Sequence, residues 1–181
     1  MSCEHAPHEF CTVIGIGYDV GDASKQQLQS DWAGSIPDDI IAALEPATGV
    51  KAAAAAPLVA ALAAAVDIAW EAALAVHGGK VIPRLTDAVV HALPNCRMLP
   101  PDCLGALVSL TRDRGTAYQK AGDRFTEMRA IRDHMAALRF SAVASDIRAM
   151  KRLWPDSPGL TERREREAKL FEDGLAGLNA K

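Results

Sequence analysis

Few side chains in this sequence are placed to do chemistry. Cys3, His5, His8 and Cys11 are zinc-compatible ligand types, but their intervals match no structural zinc site, so no metal is expected. Cys96 and Cys103 flank Leu99-Pro100-Pro101, a turn across which two thiols can approach. A disulfide is open to them in an oxidising compartment, and free thiols are the expectation in a reducing one. His77, His91 and His134 are scattered and form no base or ligand set. That leaves Asp19, which closes the run Ile14-Gly15-Ile16-Gly17-Tyr18-Asp19, with Thr12 just upstream. An aspartate so placed is either a turn residue bonded to its own backbone or a carboxylate presented for reaction.

The elements that must position these residues are mostly helical. The β-branched residues and glycines from Thr12 to Gly21 read as a short strand or hairpin, the one clear β signal. Ser24 followed by Gln27 has capping-box spacing and starts a helix, and Pro37-Asp38 opens a second that Pro46 and Gly49 close. From Ala52 to His77 the pattern predicts a buried core helix, broken or kinked at Pro57 and ended by Gly78-Gly79. Its apolar face is Leu62, Val66, Ala69, Ala73 and Val76. A helix follows Pro83, and another runs from an Asp102 N-cap to Gly115. Phe125, Met128, Ile131 and Met135 mark the next, Phe140 to Met150 another, and Leu160 to Phe171 the last, ended by Gly174.

Composition sets the class. The chain has 181 residues, 49% hydrophobic and only 5% aromatic, with heavy use of alanine. That suits one domain over residues 1–181, mainly α (α+β), with a small N-terminal β-hairpin and a mobile or truncated stretch at 1–11. The net charge of −3 and the lack of a basic face before the final helix argue against nucleic acid. The apolar run from Ala52 to Val66 is too short for a membrane span, and Met1 to Thr12 carries no Sec-type export signal. A soluble monomer without a cofactor is expected.

Three stretches together resemble a known family. Ile14-Gly15-Ile16-Gly17-Tyr18-Asp19 is similar to the glycine-rich hairpin of phage-type and pesticin-like muramidases. Gly105 through Leu110 to Arg114-Gly115 resembles their core helix. Glu127 to Ile131, Trp154, Gly159-Leu160, Arg163-Arg164 and Glu167 to Phe171 resemble their C-terminal lobe. The resemblance covers residues 12–175 and implies a lysozyme-like helical fold acting on the peptidoglycan glycan strand. It also implies a protein that stays cytoplasmic until released to act on the cell wall.

The chemistry so implied is cleavage of the bond between N-acetylmuramic acid and N-acetylglucosamine. A protonated carboxyl donates to the leaving oxygen, and a second carboxylate, about 6.5–9.5 Å away, helps water attack the opposite face. Asp19 matches the family's second carboxylate. The family threonine that orients the water aligns with Val13, so Thr12 serves only if a bulge re-aims it. No residue matches the family glutamate; Glu4 and Glu9 are the nearby carboxylates. The alternative is a catalytically silent lysozyme-like domain that binds peptidoglycan or a partner protein. Arg112, Asp113 and Arg114 read as a helix-end charge cluster or as glycan contacts. Arg163, Arg164 and Arg166 read as a solvated face paired with Glu162, Glu165 and Glu167. Trp32, Trp70 and Trp154 are able to stack on sugars, with core packing the stronger expectation.

Overall fold

The computed structural model describes residues 12–179; Cys3, Glu4, His5, His8, Glu9 and Cys11 lie outside them. The chain is mainly helical with one small antiparallel sheet, and it divides into two compact units between Arg84 and Leu85.

The first unit opens with β1 (Val13–Ile14) and β2 (Tyr18–Asp19), paired so that Val13 faces Asp19 and Ile14 faces Tyr18. Gly15 and Gly17 make the turn at φ +51° and +66°, a conformation that costs a residue with a Cβ about 1–2 kcal/mol. Helices α1 (Lys25–Trp32), α2 (Asp38–Leu44), α3 (Ala56–Ala65) and α4 (Trp70–Val76) follow. Ser24 caps α1 by accepting from the Gln27 amide at 3.1 Å. Val20, Leu28 and Leu44 are fully buried, and Tyr18 meets Trp32 edge to face at 5.5 Å.

The segment expected as one buried core helix, Ala52 to His77, is a 3-10 turn, α3, an extended connection and α4. Helix α3 buries none of its residues; Leu62 and Val66 are half-buried and Ala69 is exposed, leaving Ala73 and Val76 as the inward pair. The physical reason is side-chain size: an alanine removes so little apolar area from water that an alanine-rich run has weak drive to stay buried. Nor do Gly78 and Gly79 end α4. The chain passes through a π turn, His77–Val81, into α5 (Ile82–Ala92). Pro83 has no amide hydrogen to donate back to the preceding turn, and the wider π turn absorbs the missing bond.

In the second unit, α6 (Pro101–Arg114) and α9 (Pro158–Asn179) pack together. Helix α9 also packs on α8 (Phe140–Ala149), and α8 on α7 (Thr126–Ala136). Phe125, Met128, Ile131 and Met135 are buried, as their helical spacing predicts. Pro101 occupies the first position of α6, which moves Asp102 from the expected cap into the first turn. Gly174 does not end α9 either. A Cβ there would come within 2.8 Å of the Cys103 sulfur, so this glycine allows close approach of α6 and α9. Cys96 and Cys103 are free and buried, and burial pushes both thiols up to about 11, which keeps them protonated and unreactive.

Gly15 provides a direct test of hairpin packing, because an added Cβ would lie 2.9 Å from the Ala73 Cβ and 3.3 Å from the Trp32 ring. Gly15→Ala is expected to cost roughly 2 kcal/mol or more through positive φ and overpacking. Thermal unfolding checks this, and an unchanged Tm would show that the hairpin does not close on α1 and α4.

Candidate functional site

The hairpin holds the residues singled out from the sequence, and its anchoring begins one position before Asp19. Tyr18 is buried and donates its hydroxyl to Asp31 Oδ2 at 2.9 Å. Arg84 donates to both oxygens of Asp31, at 3.1 and 2.8 Å. Burial first, and then Asp31, push the Tyr18 phenol well above its ordinary range, so it remains a donor. The next turn is fixed by Gly21, where a Cβ would lie 2.6 Å from the Val50 carbonyl oxygen, and by the Lys51–Asp22 ion pair.

Asp19 is half-buried, and its Oδ1 accepts from the Gly21 amide at 2.8 Å, capping the 3-10 turn Val20–Asp22. The carboxylate therefore has a structural task of the kind aspartates perform in turns. Across the sheet, Val13 stands opposite Asp19 and is 55% exposed. Thr12 is one residue out of step. Its carbonyl accepts from the Val20 amide at 2.9 Å, and its side chain is buried with an unpartnered hydroxyl among the described residues. The described sheet carries no bulge at this point, so successive side chains alternate and the Thr12 hydroxyl turns away from the Asp19 face.

Beside the hairpin lies a cavity of about 340 Å³. Thr12, Val13, Ile14 and Gly15 form one side, and Val59, Leu62, Ala63, Val66 and Ile68 form the other. Among the described residues, no carboxylate lines it. Its far wall is aliphatic, the character of a recognition pocket rather than of a proton-transfer site.

The tryptophans separate. Trp32 is buried, and Trp154 is half-buried with the Arg114 and Arg164 guanidiniums over its ring at 5.3 and 5.8 Å. Trp70 departs from the core packing expected of it: it is 64% exposed at the first position of α4, two residues after Ile68 of the cavity wall. Leu74, one helical turn further, is 53% exposed. Trp70 and Leu74 together leave two large apolar side chains of α4 in water. The sequence carried no signal for the exposure of Trp70, since a tryptophan at helical spacing is usually buried.

The Arg163, Arg164 and Arg166 cluster departs in part from the solvated face expected of it. Arg166 and Glu162 do form an exposed pair one turn apart, but Arg164 and Glu167 are buried. Asp113 is bound by Arg163 and Arg164, and Arg114 is buried, which makes this group a helix-packing feature. Among the described residues, no group of His, Cys, Asp and Glu is placed to hold a metal, and no helix is long and apolar enough to cross a membrane. Comparison with protein-family profiles, curated proteins and solved structures returns no match.

The Asp19 cap makes a distinguishing prediction. Asp19→Ala removes the acceptor and is expected to cost about 1 kcal/mol, whereas Asp19→Asn keeps it and costs much less. Urea unfolding of the two variants measures the difference; equal losses would mean that the Gly21 hydrogen bond contributes nothing.

Proposed function

We propose that this chain is a lysozyme-like domain that binds the glycan strand of peptidoglycan at the hairpin face of its first unit, and that it is a poor hydrolase. The observation that carries this reading is the cavity beside the hairpin, whose far wall is Val59, Leu62, Ala63, Val66 and Ile68 and which, among the described residues, no carboxylate lines, Asp19 included. General-acid catalysis contributes ~10²–10⁴-fold, so a site without it retains binding but loses most of its rate. The resemblance of residues 14–19 to the muramidase hairpin supports glycan as the ligand. Exposed Trp70 supports it independently, because a flat aromatic face suits the apolar face of a sugar ring.

Co-sedimentation with purified insoluble peptidoglycan, with mass spectrometry of the supernatant, tests both halves. The protein is expected to pellet without releasing glycan fragments, and Trp70→Ala to weaken binding roughly tenfold, about 1.4 kcal/mol. Failure to pellet would remove the glycan ligand and leave a protein partner as the remaining reading. Release of reducing-end fragments, abolished by Asp19→Asn, would establish a muramidase. Glu4→Gln and Glu9→Gln would then identify its acid.

A further inference from the structure

The second unit contains a buried group of charges that the hairpin site does not use. Arg164 Nη2 donates to Asp113 Oδ2 at 2.7 Å and to Glu167 Oε1 at 2.9 Å, so one guanidinium nitrogen serves two carboxyls. Asp113 has further support: Arg163 donates to both of its oxygens, each at 2.7 Å. Glu167 has only the Ser109 hydroxyl in addition, donating to the same Oε1 at 2.6 Å. Its other oxygen, Oε2, is sealed from solvent with no partner, as are Nε and Nη1 of Arg164.

Two carboxyls, a buried Glu167 and a half-buried Asp113, converging on one buried nitrogen favour a proton on one of them. The asymmetry of support selects which. Asp113 is bound by two arginines, and Glu167, with one shared nitrogen and a hydroxyl, is the carboxyl left to hold the proton, on the unpartnered Oε2. Burial, the largest influence, pushes Glu167 up from 4.5 to about 7; Arg164, Ser109 and Arg163 pull it back, and Asp113 adds to the rise. The other charged and titratable groups near α9 do not replace these partners. Arg114 lies over Phe125 and Trp154, and the buried Tyr118 hydroxyl pairs with Thr111 at 2.7 Å. From α8 and the turn after it, Arg148 and Lys151 are engaged by Glu165 and Glu172, on the opposite side of α9.

We propose that Asp113, Arg164, Glu167 and Ser109 form a proton-operated latch between α6 and α9: a proton on Glu167 holds the two helices closed, and its loss loosens their junction. The inference is independent of the hairpin's ligand. Because the folded state holds this proton more tightly than the unfolded chain, the stabilisation is complete below pH 4.5 and is lost as pH rises to about 7.

Unfolding constants of the wild type and Glu167→Gln, measured by urea titration across pH 4 to 8.5, test the latch. The ratio of wild type to variant is expected to rise about tenfold per pH unit between 4.5 and 7 and then level off. A ratio independent of pH overturns the proposal. Should Glu167→Gln fail to fold, carbon-13 NMR titration of the wild-type carboxyls decides. One glutamate should titrate near neutrality and move lower in Asp113→Asn; no glutamate titrating above pH 6 overturns the proposal. Amide exchange in α6 and α9, corrected for intrinsic rate, should be faster at pH 8 than at pH 6 in the wild type. Equal protection at the two values also overturns it.

Discussion

Asp31 is almost withdrawn from water, and a carboxylate in that position must be surrounded by donors or cost several kcal/mol. Arg84 supplies two and the Tyr18 hydroxyl a third. The order of the hairpin follows from this demand. Tyr18 is the first residue of β2, so its bond to Asp31 ties the strand to α1, while its ring against Trp32 sets the angle. With β2 fixed, the pairing of Val13 with Asp19 decides which side chains look outward. One interaction at the back of the sheet thus determines what its front can present.

The second unit answers the same demand less completely. Arg164 and Glu167 are as buried as Asp31, yet each retains unpartnered polar atoms. Hydrogen bonds to a carboxylate favour its charged form, whereas burial without partners favours the proton. Asp31, fully engaged by Tyr18 and Arg84, belongs to the scaffold, and Glu167, with one oxygen unpartnered, is pushed up to about 7 by burial. About two turns along the same pair of helices, Gly174, lacking a side chain, lets α9 approach Cys103 of α6 closely.

Local chemistry was legible in the sequence wherever one residue type serves one geometry. The hairpin, the Ser24 cap and the buried stripe of α7 all follow from spacing. Burial of the alanine-rich segment was not, because periodicity tells which face is apolar but not whether anything covers it. Gly174 was misleading because its missing side chain serves a tertiary contact with Cys103, whereas Gly78 and Gly79, with open space around them, are carried through a π turn that spacing alone does not reveal. Arg164 and Glu167 read as an exposed pair since three-residue spacing is shared by solvated and buried pairs alike. At the candidate site, Asp19 was visible and its cap was one of two readings, while exposed Trp70 and the aliphatic wall depended on tertiary arrangement.

Binding and cleavage make unequal demands on such a surface. Recognition of a sugar needs apolar contact and a few oriented polar groups, and it tolerates an ångström of misplacement. Cleavage needs a proton donor within hydrogen-bond reach of one oxygen and a carboxylate across from it, with small errors costing about 10²-fold. Asp19 already spends one oxygen on the Gly21 amide, and the Thr12 hydroxyl is locked inside, so this hairpin is built for rigidity. Rigidity serves both functions; on the proposed reading, with no carboxylate among the described residues lining the cavity, it favours affinity over turnover. The exposed ring of Trp70, two residues from the aliphatic wall in sequence, suits such recognition, because an aromatic face can stack on a sugar without any proton donor.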